Sequence, residues 1–133
     1  MSDELAADFK DRIETIEEAY EFMLAYAAQG LEQEDPSEGG GIRAFLPKLA
    51  DALAGLHDVA AKRVATVESI GKDWEDFLAI LKEDAEKARA LVLFTMSQPS
   101  VGSELIDNLN ATNHIRTILT DVFLLDSAFA AHG

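Results

Sequence analysis

Two histidines are the side chains best suited to chemistry in this sequence. His57 and His114 lie at matching distances from the predicted starts of two helices. In an up-down bundle those helices run parallel, which would bring both imidazoles to one depth, with Tyr20 and Asp84 near that level on the other two helices. Imidazole nitrogens and oxygen ligands together suit a transition metal. This pattern allows a metal- or ligand-binding bundle that uses His57 and His114.

The rest of the pattern does not favour catalysis. Di-iron bundles place Glu three residues before His, and none of the three histidines has a Glu there. The sequence has no Cys, which excludes thiolate zinc sites, disulfides and cysteine nucleophiles. No Ser, His and Asp order or paired-carboxylate pocket emerges from the spacing. We therefore predict no catalytic residue, no cofactor and no metal, with the histidine-based bundle as the alternative function.

The stretch from Asp107 to His114 is unusually polar for the interior of a predicted helix. Asn, Asp and Thr side chains compete for backbone hydrogen bonds and propagate helix poorly. Such a conflict between local preference and overall pattern tends to mark a functional or strained site. We predict a polar ligand or recognition site at His57, Asn110, Asn113 and His114, and a solvated helix face is the alternative.

Acidic residues dominate the charge and are concentrated near the start of the chain. The net charge is −14, and residues 1–41 contain 12 acidic and 2 basic residues. This field repels phosphate and anionic lipid, so we expect no direct nucleic-acid or membrane binding. A basic partner would dock on Glu14, Glu17, Glu18 and Glu21. A solvated face is the simpler interpretation, and a nucleic-acid-mimicking inhibitor is a further alternative.

Three stretches, 20–27, 90–94 and 122–125, are apolar on nearly every side. A bundle helix needs only one apolar stripe, so the excess predicts contact with further protein. In an up-down bundle the first and third helices end at one pole, which would bring Phe22, Tyr26, Leu93 and Phe94 together. We predict that this pole binds a partner, either a second copy in a homodimer or another protein. Two-sided packing within one chain is the alternative.

Apolar residues recur at intervals of three and four, the spacing of bundle and coiled-coil helices. The first helix should run from Ser2 to about Gln33 and the second from near Phe45, with Pro47 in its first turn. A turn at 70–73, with Gly71 as C-cap and Asp73 as N-cap, should precede a third helix over 74–97. The fourth should follow Ser100 or Ser103 and continue to the end of the chain. The predicted seams contain Phe9, Ile13, Ile16, Tyr20, Met23 and Ala27; Leu46, Leu49, Leu53, Leu56, Ala60, Val64 and Val67; Trp74, Leu78, Leu81, Ala85, Ala88 and Val92; and Ala111, Ile115, Ile118, Val122, Leu125 and Phe129.

These patterns predict an all-α protein, an antiparallel up-down four-helix bundle. Residues 1–133 should form one domain, with a flexible acidic and glycine-rich loop at 34–42. The spacing also continues across Gly71, so one long helix over 46–97 in an oligomer is the alternative. We expect a noncatalytic, cytoplasmic protein-interaction module: an adaptor, assembly factor or small accessory subunit.

Overall fold

A computed structural model describes residues 2–34, 41–67 and 71–132, and these residues form helices and turns without any strand. The predicted all-α class is therefore confirmed. Within these described ranges six helices follow one another: α1 (Ser2–Ala28), α2 (Ile42–Ala54), α3 (Leu56–Val64), α4 (Lys72–Met96), α5 (Ser103–Ala111) and α6 (His114–His132). None of the described helices is both long enough and apolar enough to cross a bilayer.

Helix α1 begins where the sequence predicts and ends before Gln33. The Gln29 amide bonds to the Tyr26 carbonyl, and Gly30 follows with a φ of 68°. Glycine adopts this left-handed conformation at little cost, so it ends the helix here. The predicted seam is mostly correct, but Ala19 and Tyr26 are fully buried where Tyr20 and Ala27 were expected, and those two are only partly buried.

Helices α2 and α3 are separated by a single residue, Gly55. Helix α2 begins at Ile42, earlier than expected, and includes Pro47. The Arg12 guanidinium crosses Gly55 and donates to the Asp51 and Ala52 carbonyls at 3.1 Å. A Cβ at Gly55 would lie 2.6 Å from Arg12 Nη2, so the absent side chain admits this arginine. Within the predicted flexible loop 34–42, residues 35–40 lie outside the described residues, and Ile42 belongs to α2.

The alternative of one long helix over 46–97 is wrong. Helix α3 ends at Val64, and α4 packs back against both α2 and α3, so the chain reverses direction between them. The prediction for Ile70 in this turn lies outside the described residues. Gly71 is the N-cap of α4 with a φ of −126°, not a left-handed C-cap, and Asp73 lies inside α4.

The predicted fourth helix is broken into α5 and α6. Asn113 separates them with a φ of 63°, a left-handed conformation that Asn tolerates better than most residues. The break removes Ala111 from the expected seam, and this residue is exposed. The other predicted seam residues of this segment, from Ile115 to Phe129, are buried. The polar stretch therefore marks a real interruption of the helix.

Each of α1 and α4 packs against α2, α3, α5 and α6, and in the described residues these two helices do not contact each other. Contacts between helix ends define two poles in the described part of the chain. The polar pole, where α1 and α4 end, contains Tyr26, Glu34, Arg43, Val101 and Ser103. The aromatic pole, where α1 and α4 begin, contains Phe9, Arg63, Trp74, Phe129 and His132.

Candidate functional site

Arg43 joins three segments at the polar pole. Its Nη2 lies 2.8 Å from Glu34 Oε1 and 2.8 Å from the Gln98 carbonyl, and its Nη1 lies 2.6 Å from the Met96 carbonyl. Glu34 also accepts a hydrogen bond from the Val101 amide at 3.0 Å. The hydrogen bond from Arg43 holds the pKa of the Glu34 carboxyl below its usual value. Arg43 and Glu34 therefore neutralise each other, and Arg43 also donates to carbonyl groups at the end of α4.

Tyr26 and Ser103 complete the polar pole inside the protein. The Tyr26 hydroxyl donates to the Val101 carbonyl, and the Ser103 hydroxyl donates to the Tyr26 carbonyl at 2.7 Å. The Leu31 amide donates to Ser103 Oγ, and the Ser103 amide donates to the Leu31 carbonyl, both at 2.8 Å. Beside this network a wide cleft of about 850 Å³ is lined by Glu32, Glu104, Asp107 and neighbouring residues. These hydrogen bonds connect the end of α1 and the segment that follows it to the start of α5.

The structure does not combine the four apolar residues predicted to bind a partner at this pole. Tyr26 is 5% exposed, and Phe22 stacks on Phe45 with ring centroids 4.1 Å apart. Leu93 and Phe94 are 39% and 63% exposed, but they lie on α4, which does not contact the described residues of α1. The excess apolar character of α1 is therefore used largely within the chain.

The acidic face of α1, formed by Glu14, Glu17, Glu18 and Glu21, points outward. Glu17 is partly exposed and the other three are exposed. Glu14 lies 3.9 Å from Lys10, and among the described residues Glu17, Glu18 and Glu21 have no ion-pair partner. This face therefore presents negative charge to solvent.

His57 and His114 are not brought together. His57 lies on α3 and faces α4 across a cavity of about 230 Å³ that Asp58, Lys82 and Arg89 also line. His114 begins α6, whereas Arg63 of α3 contacts α6 much further along, at Asp126 and Phe129. No group of three or more His, Cys, Asp or Glu among the described residues could hold a metal ion. His114 does not line the cavity beside His57, so the two imidazoles do not face one common site.

Asn110 and Asn113 have structural contacts. Asn110 Nδ2 donates to the Met23 carbonyl at 3.2 Å, while its Oδ1 is buried without a hydrogen-bond partner. The Asn113 amide donates to the Asn110 carbonyl, and the Asn113 carbonyl accepts from the Thr117 amide. Asn113 is exposed and His114 partly exposed. These residues form the α5–α6 junction, and His57 lies on a different helix.

An apolar groove lies open between α4 and α6. We name it the α4–α6 groove, and it has a volume of about 250 Å³. Its floor includes Leu125, which is fully buried, while Leu124 at one edge is 62% exposed. Ile80, one turn along α4 from Phe77, is 51% exposed and extends the same face. The groove is lined by Asp73, Trp74, Phe77, Leu124, Leu125 and Ala128.

Two carboxyl groups meet on the same pair of helices, beyond the groove. Asp121 lies one turn before Leu124 on α6, and Asp84 lies two turns after Phe77 on α4. Burial and the neighbouring Asp84 carboxyl raise the pKa of Asp121 to about 7. Asp121 Oδ2 is buried and has no hydrogen-bond partner among the described residues, and a buried carboxyl without partners is more stable in its neutral form. This position therefore favours the protonated Asp121 carboxyl more than water does.

Most of the residues that line the α4–α6 groove were not predicted to form a site. Trp74 was predicted as a seam residue, and its indole lies 6.0 Å from the Phe129 ring and 5.4 Å from the His132 ring. The apolar stretch 122–125 contained Leu124, but Phe77 and Ile80 were not noticed beside the seam residues Leu78 and Leu81. Two apolar residues beside the seam of α4, Phe77 and Ile80, were the available signal.

Comparison with known proteins adds no assignment to this geometry. No family model, curated protein or solved structure is significantly similar to the chain.

Proposed function

We propose that the protein is a noncatalytic helical interaction module: an adaptor, assembly factor or small accessory subunit that binds another polypeptide. The observation that carries this proposal is an open apolar groove on a chain with a net charge of −14. Contiguous exposed apolar surface is typical of protein-binding sites. The partner is a second copy of the chain or a basic, partly apolar protein.

The proposal includes an antiparallel up-down four-helix bundle as the scaffold. Helices α2 with α3, and α5 with α6, would each act as one interrupted rod. Two facts support this arrangement: α1 and α4 each pack against both interrupted rods, and their ends meet at two poles. A scaffold tied at both ends presents its outer grooves with little rearrangement, which reduces the entropy lost on binding.

The acidic face contributes attraction at a distance. Surface charges of one sign steer an oppositely charged partner and raise the association rate, with a strong dependence on ionic strength. Exposed charges at a rim contribute less to the final affinity than a desolvated apolar centre does. We therefore assign the acidic face to partner recruitment and the apolar surface to holding the partner.

Charge reversal tests the role of the acidic face. We expect the variant carrying Glu14→Lys, Glu17→Lys, Glu18→Lys and Glu21→Lys to retain its helical circular dichroism and to lose most of the partner bound by the wild-type chain. The measurement is quantitative mass spectrometry of complexes captured from the source cells at low and moderate salt.

The matched control reverses four exposed acids on other helices: Glu75, Glu83, Glu104 and Glu86. It changes the net charge by the same amount, so equal losses in both variants would show that net charge alone matters. Unchanged partner recovery in the α1 variant would contradict docking on the acidic face. Recovery of no specific polypeptide with the wild-type chain would contradict the interaction function itself.

A further inference from the structure

We propose that the α4–α6 groove is the docking site for one basic amphipathic helix of another protein. This inference rests on the proposed interaction function and adds the surface and the chemistry of the partner. The supporting features are the shape of the groove, the apolar side chains left open in it and the charge of the two helices that form it.

The shape fits a short helix. From Asp73 to Ile80 the α4 side of the groove and its extension span about 10 Å at 1.5 Å per residue, which matches about two helical turns. A partner helix would insert side chains spaced at three and four residues between Phe77 and Leu124. Because Leu124 and Ile80 are more than half exposed, such a helix would cover apolar surface that the chain itself leaves in water.

The charge around the groove is negative. Asp73 lines one end, and the Asp84 and Asp121 pair lies beyond the other. Lys72 is 3.1 Å from Asp76 and is therefore already paired. Arg63, near Phe129, lies 3.6 Å from Asp126 and is paired as well, and Lys87 follows Asp84 by one turn. A helix with Lys or Arg flanking its apolar stripe is complementary to this surface.

A second copy of the chain fits the groove poorly. A twofold homodimer places the same patch of each protomer against the other. The acidic ends of one groove would then approach the acidic ends of the other, on chains that each have a net charge of −14. Like charges brought together in an interface lower affinity, so the groove favours a basic partner over self-association.

The test uses a phage-displayed library of random 16-residue peptides, selected on the immobilised full chain. Selection on the Leu124→Ser variant runs in parallel, with Leu24→Ser as the matched control, because Leu24 is 47% exposed on α1. Both substitutions shorten an exposed leucine, so neither disturbs the core. Synthetic versions of the enriched peptides are then titrated into the labelled protein and followed by NMR.

We expect the enriched peptides to combine apolar residues at helical spacing with an excess of Lys and Arg. Their affinity should fall about tenfold or more in Leu124→Ser, because the leucine side chain would be buried against the peptide and the serine side chain removes most of that apolar contact. It should be unchanged in Leu24→Ser, and the NMR shifts should centre on Trp74, Phe77 and Leu124.

Three results would overturn the groove assignment. The first is the absence of enriched peptides, or enriched peptides without excess positive charge. The second is equal binding to Leu124→Ser and the wild-type chain. The third is a dimer in sedimentation equilibrium that Leu124→Ser dissociates, because a second copy would then occupy the groove. A partner lost on reversal of the acidic face would still uphold the proposed interaction function after any of these.

Discussion

At the polar pole the Glu34 carboxylate lies 2.8 Å from the Arg43 guanidinium, whereas beside the α4–α6 groove the Asp121 carboxyl lies next to the carboxyl of Asp84. Both acids join segments that are distant in sequence. The pKa of Glu34 is lowered by its cation, and the pKa of Asp121 is raised to about 7 by burial and its acidic neighbour. At the polar pole Glu34 and Arg43 neutralise each other, whereas beside the groove burial and Asp84 favour the protonated form of Asp121.

The apolar groups differ in the same way. At the polar pole Phe22 stacks on Phe45 and Tyr26 is buried, so the aromatic rings have partners within the chain. In the α4–α6 groove Ile80 and Leu124 remain mostly in water. The comparison indicates that the polar pole maintains the fold and that the groove is the surface available to another molecule. Substitutions should therefore unfold the protein more readily at the pole than in the groove.

The largest stability effect should come from Gly102→Ala at the polar pole. A Cβ on Gly102 would lie 2.6 Å from the Glu32 carbonyl oxygen, which is backbone and must shift. Overpacking of this kind costs about 1 to 3 kcal/mol, measured as the free energy of unfolding in urea. The matched control is Gly71→Ala, also at a helix N-cap, where nothing lies within 4 Å of the added Cβ. Equal losses in the two variants would show that the polar pole is not unusually tight.

A smaller effect should follow Arg43→Met. The substitution removes the hydrogen bonds to Glu34 and to the end of α4, and because the side chain is partly exposed we expect a loss of about 1 to 2 kcal/mol. Lys48→Met, on the same helix and exposed, is the control.

The same substitution should change the response to acid. The lowered pKa of Glu34 stabilises the fold above its usual pKa of 4.5, and this contribution is lost as the pH falls through the folded value. Chemical unfolding at several pH values should show a shallower acid decline in Arg43→Met than in the wild-type chain. An unchanged decline would contradict the ion pair's role.

The smallest effect should come from Asp121→Asn and should appear on the opposite side of the pH scale. Because the folded pKa of Asp121 is raised from 3.8 to about 7, the folded state retains a proton that the unfolded chain releases. Stability contributed by this group is therefore lost as the pH rises from about 4 to about 7. Discounted for solvent exposure, the loss amounts to about 0.5 to 1 kcal/mol.

Thermal unfolding across this pH range checks the Asp121 prediction. The Asp121→Asn variant should lack this part of the decline because its amide does not ionise and can donate to Asp84. Asp107→Asn, which alters an exposed acid on α5, should retain the wild-type decline. The same decline in wild type and Asp121→Asn would show that the acid pair does not titrate as proposed.

Much of the fold followed from the spacing of apolar residues, and each exception has a specific cause. The seam from Leu46 to Val64 was predicted residue by residue and is buried, since helical period alone selects that face. The interruptions at Gly55 and Asn113 were not predicted as breaks. The first depends on the distant Arg12, and the second on the left-handed conformation of one residue in a polar stretch that had only been marked as unusual.

The candidate site was less predictable than the fold. The acidic face is exposed as expected, because charged side chains on one stripe of a helix remain in water. Phe22 and Tyr26 were expected to bind a partner, but Phe45 and Val101 contact them instead. Neither contact can be predicted from the sequence, since each joins residues on different elements that lie far apart along the chain.

The sequence by itself determined the helical class, the face that each helix buries and the negative charge, because these depend on local period and composition. Only the tertiary structure decided which apolar residues remain exposed and which carboxyl groups meet. Whether a second stripe such as Phe77 and Ile80 is covered depends on the neighbouring helix and its angle of packing. The same packing places Asp84 against Asp121, and a pKa near 7 is a property of that contact and of neither residue alone.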